Sequence, residues 1–89
     1  MEIEFDAAKN ERNTVERGIP FELAAQFDFS TATIVEDTRR AYPERRFQAL
    51  GFVGSRLHIL VFTPIPGGIR VISFRKANKR EVRKYEQTS

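Results

Sequence analysis

A dense run of basic side chains follows a strand-like segment near the end of the chain. Residues 71–86 read VISFRKANKREVRKYE, and six of the ten residues after Val71–Phe74 are basic: Arg75, Lys76, Lys79, Arg80, Arg83 and Lys84. Arginine presents a planar fork that pairs with two phosphate oxygens, and lysine presents a point charge. The run therefore indicates a phosphate-binding surface where a strand passes into a helix.

The charges are distributed unevenly along the 89 residues. Residues 1–44 carry ten acidic and five basic side chains, a net charge of −5, whereas residues 45–89 carry two acidic and ten basic ones, a net charge of +8. Such asymmetry predicts an anionic partner, with nucleic acid the first choice. A solvated basic face without a partner is the alternative interpretation.

Most familiar catalytic motifs are absent from the sequence. It has no P-loop, GxGxxG, GxSxG or HExxH motif and no cysteine, so disulfides, thiol nucleophiles and Cys-based zinc sites are excluded. The single histidine, His58, lies in an apolar run, where a structural role is expected more often than proton transfer. Asp28, Glu36 and Asp37 match no metal-binding loop and are interpreted as turn residues. We expect neither a metal nor a cofactor.

No segment predicts contact with a membrane. The apolar runs are shorter than the roughly 20 residues that span a bilayer. The opening MEIEFDAAKNER is acidic and polar, unlike a signal peptide. We therefore expect a cytoplasmic protein.

The elements that position the basic run predict a single α+β domain over residues 1–89. In chain order we expect a strand at Met1–Phe5, a helix at 7–17 between Asp6 and Gly18, a second helix at 20–28, a short strand at Thr31–Val35, a polar loop at Glu36–Glu44, strands at Arg46–Val53, Leu57–Phe62 and Ile69–Arg75 separated by turns at Gly54-Ser55 and Pro64–Gly68, and a last helix capped by Asn78. Short connections predict an antiparallel sheet, with two N-terminal helices and one C-terminal helix packed on it.

Periodicity predicts which side chains share a face. The first helix should bury a sparse stripe of Phe5, Ala8, Val15 and Ile19. Strict alternation along Ile69–Lys76 puts Arg70 on one sheet face with Ile72, Phe74 and Lys76, and Arg75 on the opposite face with Val71 and Ser73. Aromatic side chains at Phe47, Phe52, Phe74 and Tyr85 are either core residues or platforms for stacking RNA bases.

Cleavage of RNA needs none of the missing motifs. RNA carries its own nucleophile, the 2′-OH, so an enzyme has only to align it, stabilise the charged phosphorane and help protons move. Arg, Lys and Tyr side chains can do this without metal or histidine. The residues alone therefore permit a ribonuclease, but they do not distinguish it from an RNA- or DNA-binding module.

Three blocks of residues follow a pattern shared by a known family. The first comprises Phe5-Asp6, Lys9, Asn13, Gly18-Ile19, Phe21-Glu22 and Ala24; the second is Glu44–Gly51; the third comprises Ile69–Ser73, Arg75–Ala77, Glu81 and Tyr85-Glu86. They resemble, in that order, the patterns W-D-x-x-K-x-x-x-N-x-x-K-H-G-[VI]-x-F-x-x-A, E-x-R-[FY]-x-x-[IL]-G and I-R-[IV]-I-S-x-R-[KR]-A-x-x-x-E-x-x-x-Y-E of the BrnT family. These proteins are the toxins of bacterial BrnT–BrnA type II toxin–antitoxin pairs.

The resemblance implies a RelE-like fold and a ribonuclease that inhibits translation and is neutralised by a BrnA-type antitoxin protein. It also implies a toxin homodimer within a toxin–antitoxin complex, which contacts operator DNA through the antitoxin. Two alternatives stay open: a diverged, non-catalytic module that binds nucleic acid or antitoxin, and a structural subunit whose basic face docks a protein.

An RNA substrate gives roles to individual residues. Arg46, Arg70 and Arg75 are assigned to the phosphate and its transition-state charge, and Lys9 or Tyr85 to proton transfer. Lys9 is otherwise a solvated residue of the first helical turn, and Tyr85 a core residue with a satisfied hydroxyl. Further RNA contacts are assigned to Lys76, Lys79, Arg80 and Arg83, and part of this charge is expected to dock the antitoxin. Glu81 is expected to form a capping box with Asn78 rather than to act as a base.

Two positions depart from the family pattern. Phe5 stands where the family has Trp, and Glu16-Arg17 where it has Lys-His. If that histidine takes part in proton transfer, this chain has weak or altered activity. If the histidine only caps the first helix, Arg17 serves as well, because a cation is favourable at a helix C-terminus.

Overall fold

Five strands form one sheet in the computed structural model, which describes residues 1–88. The elements are β1 (Glu2–Phe5), α1 (Ala7–Arg17), 3₁₀ helices at Phe21–Gln26 and Phe29–Thr31, β2 (Thr33–Glu36), β3 (Phe47–Val53), β4 (Arg56–Ile65), β5 (Gly68–Lys76) and α2 (Lys79–Thr88). The strand order is β1-β5-β4-β3-β2. This is the small α+β domain that the sequence predicts; the expected range of 1–89 extends one residue beyond the described part. Within 1–88, no helix combines the length and apolarity that crossing a membrane requires.

The sheet is mixed, so the prediction of an antiparallel sheet is wrong at one edge. Strands β2 to β5 form the expected antiparallel meander. The N-terminal β1 pairs in parallel with β5, with Glu4 opposite Arg70. These two segments lie at opposite ends of the chain, so no hairpin turn dictates their relative direction.

Two further elements differ from their predicted form. The expected helix at 20–28 is a 3₁₀ helix at Phe21–Gln26, which buries Phe21 and Ala24 at a spacing of three. Strand β4 continues through Pro64, where the sequence predicts a loop. The ladder with β3 ends at the Phe47–Phe62 pair. At Pro64, β4 is therefore flanked by β5 alone, and proline is tolerated in an edge strand.

Helix α1 is fixed to the sheet by a polar side chain. Asp6 caps it by accepting from the Lys9 N–H at 3.0 Å, and Gly18 ends it at φ 69°, both as predicted. The predicted apolar stripe is wrong for Ala8 and Val15, which are exposed, Val15 by 80%. Asn13 is buried instead, and its Nδ2 donates to the carbonyls of Ile19 and Phe74, each at 2.8 Å. Beyond Val71, β5 has no partner from β1, so its edge carbonyls need such donors.

Each face of the sheet has its own apolar cluster. On the face covered by α1 and the 3₁₀ helices, here called the α1 face, Phe21, Leu60, Val71 and Phe74 are completely enclosed. The opposite face, here called the α2 face, holds a smaller cluster of Leu57, Ile59, Val61, Ala77 and Tyr85. Because this cluster is smaller, part of the α2 face stays open beside α2.

A β-bulge at Ile72 overturns the predicted alternation along β5. Phe62 pairs with Val71 and Val61 pairs with Ser73, so Ile72 has no partner of its own in β4. Val71 and Phe74 therefore both point to the α1 face. The extra residue returns Arg75 to the face that Arg70 occupies, and both arginines lie on the α2 face.

Candidate functional site

Three cross-strand rows of side chains lie on the α2 face. The first row is Arg46, Thr63, Arg70 and Glu4, with Arg46 one position before β3; the second is Val35, Gln48, Val61 and Ser73; the third is Thr33, Leu50, Ile59 and Arg75. Successive rows are two residues apart along a strand, or about 7 Å. The first and third rows thus place arginines about 13 Å apart on either side of the middle row. In the middle row Ser73 is exposed and Gln48 is half-buried, so this part of the α2 face is accessible to solvent.

Arg75 is held rigidly by the beginning of α2. Its Nη1 and Nη2 donate to the two carboxylate oxygens of Glu81 at 2.8 and 2.7 Å. Glu81 also accepts from the Asn78 N–H, and its own N–H donates to Asn78 Oδ1, both at 2.9 Å. This confirms the predicted capping box. The hydrogen bonds from Arg75 lower the pKa of Glu81 to about 2, against an opposing effect of burial. Glu81 is therefore ionised and positions Arg75.

Arg70 bridges two distant parts of the chain. Its Nε donates to Glu4 at 2.8 Å, and its Nη2 forms an ion pair with the same carboxylate oxygen at 2.7 Å. Its Nη1 donates to Glu44 at 3.2 Å. The hydrogen bond to Glu4, more than the contact with Glu44, raises the pKa of Arg70. Arg70 thus ties β1 to the loop that leads into β3.

Among the three arginines of these rows, Arg46 is the one that forms no ion pair within the described residues. It makes no ion pair with any residue in 1–88, and its buried Nε has no hydrogen-bond partner there. Its guanidinium carbon lies 4.2 Å from the centroid of the Tyr42 ring, which is a cation–π arrangement. The neighbouring Arg45 is 72% exposed and pairs with Glu36 at 3.0 Å.

Asp37 organises the loop of residues 37–46 that carries Tyr42. Arg39 donates to its two carboxylate oxygens at 2.8 Å each, and the Tyr42 hydroxyl donates to it at 3.2 Å. The hydrogen bonds from Arg39, chief among these contacts, hold the pKa of Asp37 well below its usual range. Asp37 therefore stays ionised and fixes the ring on which Arg46 rests.

Tyr85 is packed as a core residue. It is 9% exposed, and its ring meets Phe52 edge-on with 5.6 Å between centroids. Its hydroxyl donates to the Thr31 carbonyl at 2.7 Å. Phe74 is completely buried, so in this structure its ring is not accessible for stacking on RNA bases. Phe47 stacks on Phe62 with 5.8 Å between centroids, so it too packs within the domain.

Lys9 lies apart from the three rows. It lines a surface depression beside α1 together with Arg12 and Arg17. Arg17 also lines a neighbouring depression with Arg75 and Lys76. Arg17, which replaces the histidine of the family pattern, therefore lies close to Arg75. Lys9 shares a depression with Arg17 but not with Arg75.

The four basic residues assigned to further RNA contacts lie on the surface of α2 and at the end of β5. Lys76, Lys79, Arg80 and Arg83 are exposed, and none forms an ion pair in the described part of the chain. Lys79 and Arg83 flank a depression that Arg56 also lines. The three of them that belong to α2 extend the positive surface from Arg75 along that helix.

His58 and the acidic turn residues have structural surroundings. Burial lowers the pKa of His58, whose Nδ1 donates to the Arg56 carbonyl at 2.8 Å. Asp28 accepts from the Ser30 N–H at 3.0 Å and caps the 3₁₀ helix Phe29–Thr31. Residues 1–88 contain no group of three or more His, Asp and Glu side chains placed to hold a metal ion.

Sequence reasoning missed two residues of the first row and its surroundings. Thr63 lies beyond Phe62, where β4 was expected to end, so it was not placed on a face. For Glu44 the sequence predicts only a place in a polar loop. The signal that existed was its place two residues before Arg46 in the E-x-R motif.

Comparison with known protein families gives a match over most of the chain. A family model described as a ribonuclease toxin, BrnT, of a type II toxin–antitoxin system matches residues 5–81. The matched segment contains Lys9, Arg46, Arg70 and Arg75 and ends before Tyr85. No curated protein sequence matches the chain.

Proposed function

Because the chain belongs to the BrnT family of ribonuclease toxins, we propose that it is an endoribonuclease that cleaves RNA on the α2 face. The observation that carries this proposal is the β-bulge at Ile72, which puts Arg70 and Arg75 on one face with Arg46. Three guanidinium groups thus lie on either side of the middle row, whose side chains are neutral. Such a surface suits a phosphodiester, since arginine pairs with phosphate oxygens through two parallel hydrogen bonds.

In the proposed reaction, the RNA 2′-oxygen attacks the adjacent phosphorus. A bond forms between that oxygen and phosphorus, and the bond from phosphorus to the 5′-oxygen breaks. The 2′-OH loses its proton to a base, and the leaving 5′-oxygen gains one. The products are a 2′,3′-cyclic phosphate and a 5′-hydroxyl end. Arg75 stabilises the negative charge that grows on the phosphorane, a contribution that is often the largest in such sites, and Arg46 and Arg70 bind phosphates of the RNA backbone.

Proton transfer is proposed for Tyr85 or Lys9. Tyr85 has to exchange its hydrogen bond to the Thr31 carbonyl for one to the substrate. Lys9 has to reach past Arg17 from its own depression. Lys76, Lys79, Arg80 and Arg83 bind the flanking phosphates in this proposal, which makes RNA affinity dependent on salt.

The wider biological setting is also a proposal. We propose that cleavage inhibits translation, that the protein acts in the bacterial cytoplasm as a homodimer with a RelE-like fold, and that a BrnA-type antitoxin neutralises it and supplies the contacts to operator DNA. The net charge of +8 on residues 45–89 supports an acidic or amphipathic antitoxin segment as a partner.

Metal independence is tested directly with purified protein. Catalytic amounts of the chain should cut a single-stranded RNA in EDTA and leave 2′,3′-cyclic phosphate ends. A matched RNA with a single 2′-deoxy nucleotide at the cut position should resist, because it lacks the nucleophile. Cleavage that requires added divalent metal, or equal cleavage of the deoxy substrate, would contradict the proposed chemistry.

The second candidate is a non-catalytic module that binds nucleic acid or antitoxin. The observation that favours it is Arg17 in place of the family histidine, close to Arg75. This candidate predicts binding of RNA that weakens steeply with salt, but no turnover. In that case the same assay shows intact RNA with a folded, RNA-binding protein.

A further inference from the structure

The first row of the α2 face contains two buried donors that lack acceptors in the described part of the chain. Thr63 is 4% exposed, and neither its Oγ1 nor the Nε of Arg46 has a hydrogen-bond partner among residues 1–88. The β3–β4 ladder ends at the Phe47–Phe62 pair, so Arg46, the residue before β3, lies next to Thr63 of β4. Buried polar groups are nearly always paired in native proteins. Two unpaired donors at neighbouring positions therefore indicate a place for an acceptor.

Glu44 and Arg70 form an ion pair beside the unpaired donors of Arg46 and Thr63. Arg70 is the cross-strand neighbour of Thr63 on β5, and Glu44 precedes Arg46 by two residues on the other side of β4. The ion pair between Arg70 Nη1 and Glu44, at 3.2 Å, therefore spans β4 at the level of Thr63. Its carboxylate supplies an acceptor to Arg70 but none to Thr63 or to Arg46 Nε.

We propose that the row Arg46, Thr63 and Arg70 is a phosphate subsite for the RNA, and that the carboxylate of Glu44 occupies it until RNA binds. A backbone phosphate of the substrate displaces Glu44 from Arg70. Its oxygens then accept from Arg70 Nη1, the Thr63 hydroxyl and Arg46 Nε. This inference rests on the proposed function, because it takes RNA as the ligand of the α2 face.

The strength of each contact identifies Glu44 as the group that exchanges. Glu44 accepts one hydrogen bond from Arg70, at 3.2 Å, and its side chain is 36% exposed. Glu4 accepts a shorter hydrogen bond from Nε of the same arginine, at 2.8 Å, has a second close contact with Nη2 at 2.7 Å, and belongs to a paired strand. Arg70 therefore stays anchored on Glu4 while its Nη1 changes partner. A phosphate matches the vacated position because carboxylate and phosphate oxygens pair with the guanidinium fork in the same way.

A matched pair of variants tests the exchange. Glu44→Ala and Glu36→Ala each remove one carboxylate from the depression formed by the loop 37–46, and each carboxylate pairs with an arginine. The partner of Glu36 is Arg45, which lies outside the row. The probe is a fluorescent single-stranded RNA with 2′-O-methyl groups throughout, which binds without being cleaved. Affinity is measured by anisotropy at fixed salt.

We expect Glu44→Ala to bind the probe about tenfold more tightly than Glu36→Ala, the size of one charge-assisted hydrogen bond. In the Glu44→Ala background, Thr63→Val, which removes the hydroxyl at constant volume, should reverse part of the gain. Glu44→Gln, which keeps the side-chain volume, should behave like Glu44→Ala and guards against misfolding of the loop. Equal affinity of Glu44→Ala and Glu36→Ala would overturn the inference, as would a gain that Thr63→Val leaves intact.

The two proposals fail separately. If the wild type cleaves RNA in EDTA and Glu44→Ala binds no tighter than Glu36→Ala, the gating by Glu44 is wrong and the ribonuclease stands. If no variant cleaves RNA but Glu44→Ala tightens binding as expected, the subsite stands in a non-catalytic module.

Discussion

The two ends of the α2 face hold their arginines in different ways. At one end Arg75 is locked to Glu81, which lies six residues away, and the same carboxylate belongs to the capping box of α2. At the other end Arg70 is held by Glu4 and Glu44, which lie 66 and 26 residues away. The Arg75–Glu81 pair forms within residues 75–81 alone. The distant contacts depend on β1 and on the loop 37–46.

This difference separates a fixed group from an exchangeable one. Glu81 accepts three hydrogen bonds from Arg75 and Asn78, so its release would disrupt both the arginine and the helix end. Glu44 accepts one hydrogen bond and is not part of a helix or strand. The corner at Arg75 is therefore suited to hold transition-state charge in a preorganised position, and the Arg70 end to admit substrate.

Removal of Arg75 should have the largest effect. Arg75→Ala is expected to lower the rate of RNA cleavage in EDTA by about 10²-fold, as loss of one preorganised donor to a developing charge does. Arg75→Lys should recover little of this, because lysine keeps the charge but not the fork. The measurement is the initial rate with equal amounts of folded protein. A rate for Arg75→Ala equal to that of the wild type would remove Arg75 from the site.

Loss of the Glu81 carboxylate should affect stability, and the effect should depend on pH. Glu81→Gln is expected to lower the free energy of unfolding at pH 7 by about 2 kcal/mol, because charge-assisted hydrogen bonds to Arg75 are weakened. The pKa of Glu81 is lowered in the folded protein from 4.5 to about 2. Its ionised form thus stabilises the fold above pH 4.5, and this contribution disappears as the pH falls toward 2.

Thermal unfolding of the two proteins between pH 7 and pH 2 measures this dependence. The difference between wild type and Glu81→Gln should be constant above pH 5 and should shrink below pH 4.5. The matched change at the other end, Glu44→Gln, should alter the free energy of unfolding by only about 0.5 kcal/mol or less, as is usual for an exposed ion pair. A larger loss for Glu44→Gln than for Glu81→Gln would reverse the comparison of the two ends.

Local signals in the sequence predicted most of the fold. Asp6, Gly18 and the Asn78–Glu81 box each act within one helical turn, and each was correctly placed. The parallel pairing of β1 and the exposure of Val15 depend on contacts between distant segments. No pattern of a few residues contains that information.

The positions of the candidate site residues in the fold were predicted in part. Arg75 was placed correctly at the corner of β5 and α2, because the basic run marks it. The relative orientation of Arg70 was wrong, since the VIS sequence at 71–73 does not reveal which residue the strand leaves unpaired. Thr63 was missed because Pro64 suggests the end of a strand, while the structure places that proline where β4 lacks its β3 neighbour.

The most direct test of the α2 face as the RNA-binding surface compares two neighbouring arginines. Arg46→Ala removes from the first row a guanidinium that forms no ion pair within residues 1–88, whereas Arg45→Ala removes an exposed one that pairs with Glu36. The measurement is the rate of RNA cleavage in EDTA for both variants and the wild type. The account predicts a loss of about tenfold or more for Arg46→Ala and a nearly unchanged rate for Arg45→Ala. Equal losses for the two variants would show that net charge, not the α2 face, determines cleavage.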